Sequence, residues 1–213
     1  MRGRSTPTRE QHQTGHGIDG SLEFASLLRE LLLSHVVHRQ GGEVITLRPY
    51  QRDDAPALLA LFRDTIRRVN SRDYSPAQIA AWASDDIDTA SWFGRFTGRF
   101  VPVAEEASRP VGFAELEPDG HIGRVYVSAD HQRRGIGRQL LAAVVAEARR
   151  VGLARLFTEA SITARPFFEA QGFVVLAPQV VTCRGVEFVN YRLGRLIAEA
   201  SAAADGGREL GPS

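Results

Sequence analysis

The residues richest in chemical content are Gln132-Arg133-Arg134-Gly135-Ile136-Gly137-Arg138. Two glycines two apart, with three arginines around them, follow the apolar run RVYVS and precede a long apolar stripe. Glycine removes side chains that would hold an anion away from backbone N–H groups, and arginine adds charge-assisted hydrogen bonds. The chemistry implied is the gripping of a phosphate. Two better-defined phosphate loops are excluded. All 26 basic residues are Arg, so the Gly-Lys-Ser/Thr ending of a P-loop is absent. Leu140 stands where G-x-G-x-x-G needs its third glycine.

The loop needs elements to hold it, and the flanking patterns supply them. Ile136, Leu140, Leu141, Val144, Val145 and Ala148 recur at helical spacing, Arg149 and Arg150 suit a last turn, and Gly152 suits a C-cap. A helix over about 135–150 aims its first free N–H groups at the Arg134–Arg138 stretch. Upstream, VITLRPY reads as a strand. DDAPALLALFRDTIRRVN reads as a helix with Leu58, Leu61, Phe62, Ile66 and Val69 on one side, and SPAQIAAWASD as a second, with Ser75 as cap and Pro76 in its first turn. RFVPVAEE, RPVGFAELE and HIGRVYVSA form an antiparallel meander. After the long helix come a strand (LARLFTEAS), a short helix ending at Gly172 and two last strands (FVVLAPQVV and VEFVNYRLG). The class is α+β, with helices and strands mixed in one domain.

That domain is expected at 44–197, after a flexible extension at 1–43 carrying an amphipathic helix at about 21–38 and before a disordered tail at 198–213. The net charge of +1 gives no global electrostatic case for nucleic acid or membrane, and the longest apolar run, LLLSHVV, is too short to span a bilayer. Cys183 stands alone, so neither an internal disulfide nor a Cys-rich zinc site is expected. With no apolar secretory segment at the N-terminus, a cytoplasmic protein is expected.

VYVSADHQRRGIGRQLL resembles motif A of the GNAT superfamily of N-acetyltransferases, and SITARPFFEAQGF resembles the motif that follows it. YSPAQIAAWA is similar to a prokaryotic subgroup of poorly assigned substrate. The resemblance covers about 44–197. It implies the GNAT fold: a central, mostly antiparallel twisted sheet flanked by helices and splayed between the fourth and fifth strands. It also implies acetyl-CoA as co-substrate. Gln132, Arg133, Arg134, Gly135, Ile136, Gly137 and Arg138 would hold its pyrophosphate. Val125, Tyr126 and Val127 would pair with the pantetheine arm, with the Val127 N–H facing the thioester oxygen. Glu159, Ala160 and Ser161 would flank the arm's far side. His121 occupies the place where many family members put a glutamate base, with Glu115 and Glu117 as competitors on the neighbouring strand. Phe168 stands where a tyrosine often protonates the leaving thiolate, a role phenylalanine cannot fill. Tyr126, Ser161 through water, or solvent remain as alternatives.

Two readings stay open at this point. One is an N-acetyltransferase acting on a primary amine of a small molecule, amino acid or peptide. The other is an acyl-CoA-binding sensor with little turnover, motivated by Phe168 and the N-terminal segment. For the acceptor site, Tyr74, Trp82 and Trp92 are candidate lining residues, although such aromatics are more often core. Asp85, Asp86 and Asp88 are candidates for attracting a cationic amine, with an exposed acidic loop as the default. A homodimer built through strand ends and the N-terminal helix is also left open.

Overall fold

The computed structural model describes residues 39–40 and 43–197. The expected helix at 21–38 and the tail from 198 lie outside these residues. Four strands form the larger sheet: β1 (Glu43–Pro49), β2 (Pro102–Glu106), β3 (Arg109–Leu116) and β4 (Ile122–Val127). They pair antiparallel in chain order, and the two-residue segment Arg39–Gln40 adds to the outer edge of β1. A smaller sheet holds β5 (Arg155–Ser161), β6 (Val174–Cys183) and β7 (Val186–Leu196), with β7 in the middle. The tight β2–β3 and β6–β7 turns place Ala107, Ser108 and Arg184 in the left-handed region.

Between β1 and β2 run α1 (Ala55–Arg68), α2 (Pro76–Trp82) and α3 (Thr89–Gly94). The α2 start follows the sequence reading: the Gln78 N–H donates to Ser75 Oγ at 3.3 Å, the Gln78 side chain accepts from the Ser75 N–H at 2.9 Å, and Pro76 takes the first turn. The α3 helix was not expected. Asp88 begins it by accepting from the Ala90 and Ser91 N–H groups at 3.3 and 2.8 Å, so this aspartate is a helix cap. The helix carries Trp92 into the core, where its indole N–H donates to the Ala55 carbonyl at 3.1 Å.

Two packed layers cover the sheets. On one face, α4 (Ile136–Arg150) lays Ile136, Leu140, Leu141, Val144 and Ala148 across both sheets, against Ala114, Ile122, Leu156, Ala160 and Leu193. Its approach to β3 needs Gly112, where a Cβ would stand 3.0 Å from the Tyr126 carbonyl oxygen and 3.2 Å from Ile136 and Leu140. On the other face, Leu58, Phe62 and Ile66 of α1 pack with Trp92, Phe96 and Phe113. The short α5 (Arg165–Ala170) leads into β6.

The sheets meet where β4 and β5 begin and then part. A single parallel bridge joins His121 to Phe157, with the Phe157 N–H donating to the Gly120 carbonyl at 3.1 Å. Thr158 Oγ1 reaches the Ile122 carbonyl at 2.8 Å. Beyond these contacts no ladder links the two strands. The splay expected between the fourth and fifth strands is present.

Candidate active site

The parting of β4 and β5 opens a cleft of about 790 Å³. Val125, Tyr126 and Val127 wall it on one side, Thr158 to Ser161 on the other, and the Gln132–Arg138 loop closes one end. The Ser128 N–H donates back to Val111 of β3 at 2.8 Å. Because antiparallel strands present alternate residues to a given neighbour, Val125 and Val127 point their peptide groups away from β3, into the gap. The Val127 carbonyl there accepts from Thr65 Oγ1 at 3.2 Å and from the Gln132 side chain at 2.6 Å.

The loop is shaped by two left-handed residues, Arg133 (φ 64°) and Gly135 (φ 78°). Gly135 is the N-cap of α4 and has no side chain to satisfy the helix's first N–H groups. These donors, together with the turn's own amides, form a concave anion site. The predicted loop residues divide by role. Arg133 and Arg138 are exposed and make no ion pair or hydrogen bond among the described residues. Arg134 donates to Glu106 at 2.6 Å, and the same carboxylate lies 2.8 Å from His131 Nε2. Those two bonds, His131's first, hold the Glu106 carboxyl below its usual range. Gln132 folds back onto Val127 and Ser128, and Ile136 is buried, so they shape the loop from within. Gly137 is closely packed: a Cβ there would stand 3.3 Å from the Phe167 ring and 3.8 Å from Val127.

Phe168 is buried, edge-on to Phe167 and Phe173 at 5.2 Å each, and lines the cleft with a wholly apolar ring. Tyr126 lies between Phe62 and Phe113, and burial pushes its hydroxyl up to about 12. Of the three acceptor-side aromatics, only Trp82 lines the cleft. Trp92 is core. Tyr74 is buried, its hydroxyl donating to the Val189 carbonyl at 3.1 Å and accepting from the Ile162 N–H at 2.9 Å. Asp85 is tied to Arg67 at 2.7 Å, and Asp85 and Asp86 border a separate surface pocket beside α2.

The three candidate bases occupy different settings. Glu115 is fully buried and bonded to Arg99 and to Arg124, the latter at 2.8 Å. His121 stacks on Phe157, with Nδ1 3.1 Å from Glu117 and Nε2 2.6 Å from Glu159. His121 stands outside the cleft wall, whereas Glu159 forms part of it. Sequence reasoning missed the arginines around Glu115 and the packing of Phe167. The only available hint was an Arg on a strand whose next-but-one neighbour is Tyr126. Among the described residues no cluster of three His, Cys, Asp or Glu side chains is placed to hold a metal ion, and no helix is long and apolar enough to cross a membrane.

A sheet parted between its fourth and fifth strands, with a glycine loop and a helix start at the mouth of the gap, defines an acetyltransferase fold. The chain belongs to the GNAT family: the Acetyltransferase (GNAT) domain matches residues 70–194. It is 36% identical over 147 residues to the uncharacterized N-acetyltransferase YafP of Escherichia coli strain K12, spanning 69% of this chain and 93% of that protein. It is also similar to a GCN5-related N-acetyltransferase structure from Rhodopseudomonas palustris, with a TM-score of 0.70, 32% identity, and coverage of 75% of this chain and 99% of that one. The fold is shared, at a TM-score of 0.56 and 23% identity, with yncA of Salmonella typhimurium, solved with acetyl-CoA (76% and 98% covered).

Proposed function

We propose that this protein transfers an acetyl group from acetyl-CoA directly to a primary amine. The observation that carries the reading is the cleft itself. It is lined on one strand by the outward peptide groups of Val125 and Val127 and ends at the unsatisfied N–H groups of α4. Acetyl-CoA supplies a thioester whose acyl carbon a free amine can attack. Arg133, Arg138 and the amides around Gly135 and Gly137 hold its pyrophosphate. The N–H of Val127 donates to the thioester oxygen as negative charge gathers there.

An amine must lose a proton before it attacks. Glu159 faces the cleft and accepts that proton, directly or through a water. His121, bonded to Glu159 at one nitrogen and to Glu117 at the other, passes it outward. His121 therefore acts behind the carboxylate. Glu115 has no part in this path, because Arg99 and Arg124 hold it as a buried anion. Tyr126 keeps its proton at working pH and offers it as a hydrogen bond to the departing sulfur, the role Phe168 cannot fill.

Titration calorimetry tests the binding half: the folded protein takes up acetyl-CoA at sub-millimolar concentration, and absence of heat would overturn the reading. A thiol-release assay across an amine panel tests the transfer half. Phe168 favours the alternative of an acyl-CoA-binding module without turnover, and amine-dependent thiol release above the hydrolysis background would reject that alternative.

A further inference from the structure

Glu106 ends β2 at the tight turn into β3, and it is nearly shut off from solvent. From there it reaches the glycine loop, where its two partners lie 25 and 28 residues further along the chain. Oε1 accepts from the Arg134 guanidinium at 2.6 Å, and Oε2 lies 2.8 Å from His131 Nε2. His131 is fastened at its other end as well. Its Nδ1 lies 3.2 Å from Ser128 Oγ, and its backbone N–H donates to the Ser128 carbonyl at 2.9 Å. The neighbouring acid, Asp130, is taken by Arg68 of α1 at 3.0 Å. Ser128, His131 and Glu106 follow one another as a nucleophilic triad would, but His131 lines the cleft and Ser128 does not, so the row is an anchor.

These bonds bracket the strained part of the loop. Arg133, left-handed at φ 64°, sits between the two residues that Glu106 holds, and Arg134 directly precedes Gly135, the N-cap of α4. Left-handed backbone is unfavourable for a residue with a Cβ and persists only where its surroundings over-determine it. Glu106 supplies that constraint from outside the loop. It also divides the arginines. Arg134 is half-buried and tied to Glu106, whereas Arg133 and Arg138 are exposed and line the cleft.

We propose that Glu106 is the positioning residue of the pyrophosphate site, holding His131 and Arg134 so that the loop amides and the guanidinium groups of Arg133 and Arg138 are preset for a diphosphate, with Arg134 a strut that does not touch the ligand. This rests on the acetyl-CoA reading above. The sign of the effect is diagnostic. A carboxylate beside an anion site repels the ligand, so by charge alone its removal should tighten CoA binding. Removal of a strut should weaken binding, because the ligand must then order the loop itself.

The test is calorimetric titration of CoA into the full chain at neutral pH, for wild type, Glu106→Gln, Arg134→Gln and the double variant. Each single change should weaken CoA by about tenfold, and the double variant should lie within about twofold of the weaker single one, because both changes remove the same strut. In turnover, KM for acetyl-CoA should rise by the same factor while kcat at saturating acetyl-CoA and the acceptor's KM stay within about twofold; a cleft merely loosened would lose kcat as well. CoA bound by Glu106→Gln as tightly as by wild type, or more tightly, would overturn the proposal. So would single losses that multiply in the double variant, the mark of Arg134 gripping phosphate on its own.

Should Glu106→Gln not fold, Glu106→Asp decides. The same charge on a shorter stem cannot span both partners, and CoA affinity should fall by at least about threefold; an unchanged affinity rejects the strut. Wild type that takes up no CoA fails the acetyl-CoA reading, and the proposal falls with it. Wild type that binds CoA alongside unaltered variants fails the proposal alone.

Discussion

Replacing Gly135 and Gly137 one at a time with alanine separates the loop's backbone geometry from its clearance for a ligand. At Gly135 nothing lies within 4 Å of an added Cβ, yet φ is +78°. Left-handed backbone costs an alanine about 1–2 kcal/mol, offset by about 0.4–1 kcal/mol because the unfolded chain loses freedom too. The expected net loss is about 1 kcal/mol, or about 2–4 °C in melting temperature for a chain of this size. At Gly137 the added Cβ would meet the Phe167 ring at 3.3 and 3.4 Å, so that ring must yield by a few tenths of an ångström. Helix propensity favours alanine there by up to about 1 kcal/mol, and the two effects leave stability within about 0.5 kcal/mol of wild type. The Gly137 methyl nonetheless stands between Phe167 and Val127, both of which line the cleft. CoA affinity should therefore drop at least about tenfold in Gly137→Ala, equivalent to about 1.4 kcal/mol. Denaturant melts and titration calorimetry with CoA read the two quantities independently. Gly137→Ala binding CoA within about twofold of wild type would refute the cradle, and Gly135→Ala melting above wild type would refute the strain.

Three further outcomes follow from the carboxylates. Glu115→Gln strands the Arg99 and Arg124 charges and should cost about 3–5 kcal/mol in urea unfolding, while Glu117→Gln, partly exposed, should cost less than about 1 kcal/mol; equal stabilities would show that Glu115 is not the cluster's anchor. Asp88→Ala removes a helix cap and should lower the melting temperature by about 2–4 °C without changing acetylation rates; a rate loss at unchanged stability would place Asp88 against the acceptor instead. Glu106 has a depressed carboxyl, so its contribution to stability is complete above its ordinary value near 4.5 and is lost as pH falls through the lower folded value. The stability gap between wild type and Glu106→Gln should hold from neutrality down to about pH 5 and close below that, as followed by melting at stepped pH. A gap that widens in acid would contradict the assignment.

The glycine loop and the helix after it were legible because both are local. Left-handed and side-chain-free positions call for glycine, and α4 buries the stripe its spacing draws. The Ser75–Pro76 start of α2 was legible for the same reason. The α3 helix was not, because six residues carry too little periodicity, and its capping Asp88 sits in a run that also suits an exposed loop. Glu115 was misleading. Strand alternation put it beside Glu117, but its environment depends on Arg99 and Arg124, brought in by a loop and by the neighbouring strand. Phe168 lines the cleft, but its buried packing against Phe167 and Phe173 depends on contacts no single motif contains.

The missing ladder between β4 and β5 also bears on how the molecule moves. Each sheet is continuous within itself, but among the described residues only the contacts around Gly120, His121 and Ile122 fasten one to the other along that line. Among the described residues no strand lies opposite the amides of Val125 and Val127, so without ligand they should exchange with solvent quickly for residues so central. A bound pantetheine arm would act as a guest strand, bridging the seam and slowing exchange on both of its sides together. Ligand at a hundredfold excess over Kd adds about 2.7 kcal/mol to folding by mass action alone. Hydrogen exchange with and without CoA would show whether the two sheets breathe separately until the seam is filled.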